Sequence, residues 1–541
     1  MAKPNRKRGT GGKSSLKKQR QKQKKTGSPA LIKKVNELLP YARKLFQENA
    51  HLKSFATYEE VLSCVEVRQE MVLEALTPLE KILEYDGGVA FLTKWIRLLP
   101  GSGNALLYIK RGDLYLKSQR PEDAQKDYDV VLDRGTNTEE VHASLAAFHE
   151  RSHRLDEALA SIDVVCKLNP DNAGHQRQRA KIMSRLGRNE EALALYVSAR
   201  EGARSPHDAF MAQIELAGLY DGLGDFDTAY DAYVKADELL GSSQNSQLQR
   251  TKKYEQDIDS IFDSLKVENA QRWCNSAASP LLVNERPQPL AFFIGHPRSG
   301  TTLIEQVLAA HSSVTTLDEV SSLRKVAQGV VGSSGRGLVN VLDSLTDAEC
   351  ARFTDYYIDH VKQLTSEDIQ SLSMIDKHPS NLDILPVVMR LFPRARILMA
   401  LRDPRDVIVS CMFQAFRPNG VTINYRQVER AFHHGAQVWG RWLKLREILE
   451  QPWYEIRYEN VVEDFEGEVR KLISFMGLEW DDKVLEFHKK AAKRFVSTPS
   501  YAAVGERVSN KAVGRWKNYE QYLRPHMHLL EPVLEKLGYT E

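Results

Sequence analysis

Gly295-His-Pro-Arg-Ser-Gly-Thr-Thr302 follows the short apolar run Leu290–Ile294 and sets two glycines with four residues between them. Such a turn between a buried strand and a helix presents backbone N–H groups at the helix's positive end, which is a phosphate site. Arg298 adds a cation inside the loop, with Ser299, Gly300, Thr301 and Thr302 around it. A second candidate is Arg402-Asp-Pro-Arg-Asp-Val-Ile-Val-Ser410, which follows the strand pattern Ile397–Leu401. Pro404 suits the first turn of the next helix, where its missing N–H costs nothing. Arg402 at the strand's end and Ser410 two turns into the helix can grip a second phosphate that the first loop cannot reach. The competing reading of Arg402–Asp406 is a surface ion-pair cluster.

The elements that must position these residues are legible as patterns. Further apolar runs stand at Met374–Ile375 and Tyr454–Tyr458, and helical stretches are expected near 383–391, 405–416 and 426–450. Buried strands alternating with helices predict a mostly parallel sheet covered on both faces, with ligands at the strands' carboxyl ends. Gly295-x4-Gly300 resembles the P-loop, yet Thr301 stands where a nucleoside triphosphatase places its lysine. That argues against a magnesium-assisted ATPase or kinase. It leaves open a nucleotide whose single 5′ phosphate carries another anion.

Ahead of this half, residues 105–240 repeat. Ala124, Ala158 and Ala192 lie 34 residues apart, and Tyr128, Ile162 and Tyr196 follow each by four. A fourth copy, Ala229 with Tyr233, comes 37 residues later, which predicts a three-residue insertion between helices. Gly112, Ala146, Ala180 and Ala217 are the small residues that let paired helices approach closely. Pro170 ends the second unit. This pattern resembles the tetratricopeptide repeat. Leu92, Trp95, Ile96 and Leu99 form one apolar helix face, so residues 31–104 are expected to be helical and to hold degenerate repeats.

The chain has 541 residues, too many for one core, and its 42% hydrophobic content fits globular domains. Five scattered cysteines without CxxC pairing or metal-ligand spacing fit a reducing compartment. No run of 18 apolar residues and no apolar N-terminal segment is present, so the expected location is the cytoplasm. Residues 1–25 hold eleven Lys and Arg and no acid, while the whole chain is only +3, so the body is net acidic. Residues 1–30 therefore read as a basic, disordered tail suited to acidic surfaces. Nothing in the body suggests a nucleic-acid enzyme. The remaining boundaries are expected at 105–244 for the repeats, 245–287 for a helical connector and 288–541 for the α/β half.

Taken together, Gly295–Leu303 resembles the 5′-phosphosulfate loop of sulfotransferases and Arg402–Ser410 their 3′-phosphate motif. With Asp376-Lys-His-Pro379 between them, residues 288–525 are similar to tetratricopeptide-repeat sulfotransferases and to protein-tyrosine sulfotransferases. The resemblance implies an all-α repeat solenoid followed by a three-layer α/β P-loop-like domain with a mostly parallel central sheet. It implies 3′-phosphoadenylyl sulfate (PAPS) as donor, with no metal. Arg298 and Ser299–Thr302 would hold the 5′ end, and Arg402 and Ser410 the 3′ phosphate. Glu319 matches the general base, and Lys377 the lysine near the leaving oxygen. The implied acceptor is a hydroxyl: a protein tyrosine, or otherwise a sugar or lipid. The repeats would engage a peptide or protein acceptor or partner.

Several residues have rival readings. Asp318 or His311 could replace Glu319 as base, and Lys377 could neutralise Asp376. Arg457 reads as a core-facing brace, and His433 with His434 as a satisfied pair. Around Val504 the run Ala503 to Arg507 departs from the family's pattern, so the residue that closes the nucleotide site stays open among Arg507, Lys511 and Arg515. The competing functions are a P-loop kinase of a small molecule and a non-catalytic repeat scaffold.

Overall fold

The computed structural model describes residues 29–539, except 49, 82–84, 100–103, 119, 136–137, 242–244, 276–289, 333–334, 365–371, 417–419 and 492–507. The basic tail up to residue 28 and the segment around Val504 lie outside the described residues.

Short loops fold successive helices into hairpins. The first compact unit, ending at Leu145, contains α1 (Pro29–Gln47), α2 (His51–Cys64), α3 (Gln69–Lys81), α4 (Tyr85–Leu98), α5 (Ala105–Lys117) and α6 (Pro121–Asp133). Leu76, Leu92, Trp95 and Leu114 share its core. A Cβ on Gly112 would stand 2.6 Å from the Tyr128 ring, which is why the repeat needs its smallest residue there. Tyr128 is buried, and its hydroxyl donates to Asp113 at 2.8 Å.

The second unit begins within α7 (Glu139–Arg151) and continues the hairpins with α8 (Leu155–Leu168), α9 (Ala173–Arg185), α10 (Asn189–Glu201), α11 (Pro206–Gly222) and α12 (Phe226–Leu240). Ala158, Ile162, Ala180, Ala192, Tyr196, Ala217, Ala229 and Tyr233 are all buried. The extra residues before the fourth copy do not lie between helices. They lengthen α11, which has 17 residues against 13 in α9, because Ser205 and Pro206 cap and start it a turn earlier. Helices α13 (Asn245–Ser264) and α14 (Val267–Cys274) lead to the sheet.

Five parallel strands run in the order β2-β3-β1-β4-β5: β1 (Leu290–Gly295), β2 (Val314–Asp318), β3 (Ser373–Lys377), β4 (Arg396–Leu401) and β5 (Trp453–Arg457). Side chains alternate between two cores. Phe292, Ile294, Met374, Ile397 and Met399 face one side, and Ala291, Phe293, Ile375, Leu398 and Ile456 the other. The first layer includes residues of α11–α14, α16 (Ser322–Val331), α17 (Leu338–Ser344), α18 (Asp347–Leu364), α19 (Leu385–Leu391), α20 (Pro404–Met412) and α21 (Val428–Ile448). The opposite layer includes α15 (Thr301–Ala310), α23 (Phe465–Phe475) and α24 (Phe487–Ala491), with the short α22 (Tyr458–Glu463) between β5 and α23. This is the expected three-layer α/β architecture. Strand β2 was not evident from apolar runs, because Thr315, Thr316 and Asp318 interrupt it. As an edge strand it tolerates them.

Candidate active site

The carboxyl ends of all five strands carry the residues singled out by their chemistry. After β1 the chain turns through Gly295–Gly300 into α15. Ser299 closes the turn by donating its N–H and its hydroxyl to the His296 carbonyl, at 3.1 and 2.7 Å. Gly300 has φ +97°, and a Cβ there would meet the Tyr458 ring at 2.9 Å, so glycine is required on both counts. Thr301 and Thr302 are buried in the first turn of α15. The Thr301 methyl packs against Gly295, so it turns into the fold and does not replace a phosphate-binding lysine. His296 is buried, stacked on Trp439, and its Nε2 accepts from the Tyr425 hydroxyl. Burial pulls its pKa down to about 3, so it is neutral.

Arg298 also adopts a left-handed backbone, φ +71°, a strained state for a non-glycine residue. Its carbonyl accepts from Arg402 Nη1 at 3.1 Å, and its own Nε donates to Ser410 Oγ at 3.0 Å. These two bonds brace the loop and bring Arg298, Arg402 and Ser410 together. The surface ion-pair reading of Arg402–Asp406 therefore fails: Arg402 is 5% exposed and Asp406 is fully buried. Asp406 instead accepts the Gly514 and Trp516 N–H groups, each at 2.8 Å. Burial lowers the Arg298 pKa to about 10, with Arg402 and Arg515 adding positive charge, and it stays protonated at neutral pH. Cys411, one residue past Ser410, is buried with its thiol pKa pushed up to about 12.

On the other side of β1, the register sets Lys377 beside Phe293 and Asp318 beside Lys377. Lys377 is fully buried and pairs with Asp318 and, at 3.1 Å, with Glu319. It does not neutralise Asp376, which accepts the Tyr357 hydroxyl at 2.7 Å and whose pKa burial raises to about 7. Burial opposes the Lys377 charge, but Asp318, Glu319 and Glu305 outweigh it and hold its pKa above the usual value. Glu319 has φ +55°, held by its N–H donating to the Lys377 carbonyl at 2.7 Å. Its side chain is 36% exposed against 6% for Asp318, so it is the carboxylate that solvent reaches. Desolvation raises its pKa, Lys377 opposes this, and Asp318 adds to it.

His311 is committed elsewhere. Its Nδ1 accepts the Ser313 N–H and its Nε2 donates to the Glu479 carbonyl at 2.8 Å, so it ties two loops together. Arg457 braces α25 (Glu531–Leu537) by donating to the Leu537 carbonyl. His433 and His434 do not pair, because adjacent helix positions point apart: His433 is exposed, whereas His434 contacts Glu255. Lys511 is exposed, and Arg515 is paired with Asp221.

Two contributors escaped the sequence reading. Glu305, buried on α15, accepts from Thr316 and from Gln306 and adds negative charge at Lys377. A lone acid among Leu303, Ile304, Val307 and Leu308 was its available signal. Tyr458 lies against Gly300 and under the Arg402 guanidinium at 5.0 Å. Its only signal was an aromatic residue directly after β5.

The Arg298 and Arg402 guanidiniums give the site positive charge suited to anions. Arg402 Nε is buried without a hydrogen-bond partner, and a Cβ on Gly300 would meet the Tyr458 ring. Residues 289–482 match the Sulfotransferase family. This segment is similar to sulfotransferase domains. The chain is 28% identical over 323 residues to an uncharacterized protein of Aquifex aeolicus, covering 58% of this chain and 40% of that one. It is 26% identical to a protein-tyrosine sulfotransferase of Drosophila melanogaster, covering 42% of this chain and 45% of that one. The chain thus spans less than half the length of these two relatives. Among solved structures, the sulfotransferase domain of the Synechococcus PCC 7002 olefin synthase is 22% identical, covering 45% of this chain and 95% of that one, with a TM-score of 0.31. Among the described residues, no group of His, Cys, Asp or Glu is arranged to hold a metal ion. No described helix is long and apolar enough to cross a membrane.

Proposed function

We propose that this protein transfers a sulfuryl group from PAPS to an acceptor hydroxyl. The observation that carries this is the hydrogen-bonded meeting of Arg298, Arg402 and Ser410, with Glu319 and Lys377 on the adjacent strand ends. The donor supplies an S–O bond whose cleavage leaves a phosphate at the 5′ end. Arg298 with the Ser299–Thr302 turn binds that end, and Arg402 with Ser410 binds the 3′ phosphate. Glu319 takes the acceptor's hydroxyl proton as its oxygen forms the new S–O bond, a role helped by its raised pKa and its exposure. Lys377, held charged by three acids, stabilises the negative charge that develops on the leaving oxygen.

The first acceptor to test is a peptide tyrosine, as the names of the relatives suggest, followed by sugar and lipid hydroxyls. The repeats would present a peptide or protein to the site. Five unpaired cysteines support a cytoplasmic location. Incubating the protein with labelled PAPS, cell extract and candidate acceptors tests this reading. Label transfer to a hydroxyl supports it, and absence of both transfer and donor binding overturns it.

A further inference from the structure

The segment that packs over α20 is held from two sides. From the sulfotransferase domain, Asp406 accepts the Gly514 and Trp516 N–H groups, and Arg402 donates to the Ala512 carbonyl. From the repeats, Asp221 near the end of α11 receives Arg515 Nε at 3.1 Å and Arg515 Nη2. The same carboxylate accepts the Tyr519 hydroxyl at 2.7 Å. The pair is largely enclosed, with 22% of the Arg515 side chain and 10% of Asp221 exposed. The Arg515 guanidinium lies 5.8 Å from the Phe413 ring centroid, three residues past Ser410, and its charge is felt at Arg298. A repeat-helix carboxylate thus orients a cation on the segment that Arg402 and Asp406 hold.

We propose that Asp221 is a positioning residue that holds Arg515 as a third cation for the anionic donor, which makes the last repeat hairpin part of the donor site. This rests on the donor site proposed above. Arginine carries a long side chain with many rotamers, and an arginine pinned by a two-point carboxylate contact loses little further freedom when an anion arrives.

The test is titration of adenosine 3′,5′-bisphosphate, the desulfated donor, into the full-length protein and its variants. Asp221→Ala should weaken binding about tenfold, the size usual for a residue that orients a ligand group without touching the ligand. Arg515→Ala should weaken it at least as much, and the double variant should be no weaker than Arg515→Ala alone. Asp221→Glu should recover part of the loss. Asp221→Asn, which keeps an acceptor for Tyr519, supplies the same comparison if the alanine variant unfolds. Unchanged or tighter binding in Asp221→Ala overturns the proposal, and so does an equal loss in the Arg515→Ala background. Failure of the wild-type protein to bind the nucleotide overturns the donor site itself, a result distinct from an unmoved Asp221 variant.

Discussion

At the scale of single residues, the cleft divides its labour by charge. Arg298→Ala removes a charge-assisted contact, so affinity for the desulfated nucleotide should fall about ten- to a hundredfold, read by calorimetric titration. Glu319→Gln should keep that affinity and lose transfer by roughly 10²–10⁴-fold. Because burial raises the Glu319 pKa, wild-type turnover should fall on acidification at a higher pH than an ordinary glutamate would give, and the variant's residual rate should lose that limb. A pH–rate profile of both proteins decides it. Asp376 gives a stability prediction of defined sign. Its folded pKa of about 7 exceeds the unfolded value, so its stabilisation is complete below about pH 4 and is lost as pH rises through 7. Asp376→Asn should flatten this decline when thermal unfolding is followed between pH 4 and 8. Arg298, Arg402 and Ser410 were legible because glycines and a strand end mark their positions within short motifs. Glu305 and Tyr458 were not, since each reaches the cleft only through the pairing of strands distant in sequence.

At the scale of elements, tight contacts explain where glycine is fixed. Gly112 faces the Tyr128 ring with no room for a Cβ, so Gly112→Val should cost about 1–3 kcal/mol, measured by denaturant unfolding. The repeat spacing predicted the packing of these small and large residues, because the contact lies within one hairpin. The same spacing misplaced the extra residues of the fourth copy. A period counts residues but does not tell whether a helix or a loop absorbs them, and here Ser205 and Pro206 decided for α11. Strand β2 was similarly hidden, since an edge position relaxes the demand for an unbroken apolar run.

At the scale of the whole second unit, the sheet does not own its core. Phe210, Ile214, Tyr233 and Ala236 of α11 and α12 belong to the same buried cluster as Phe292, Ile397 and Trp439. The Tyr233 hydroxyl adds a bond to the Tyr425 carbonyl at 3.0 Å. Residues 245–541 expressed alone should therefore melt more than about 10 °C below residues 206–541, monitored by circular dichroism. Sequence periodicity could not reveal this, because it assigns α11 and α12 to the array by their spacing and is blind to what their outer faces touch. The consequence reaches into how such a chain can diversify. Hairpins ahead of Pro206 can be duplicated or deleted without opening the hydrophobic seat of the sheet, so array length is free to drift. The final hairpin is inherited with the sheet, and any natural or engineered exchange of the hairpins ahead of it has to splice upstream.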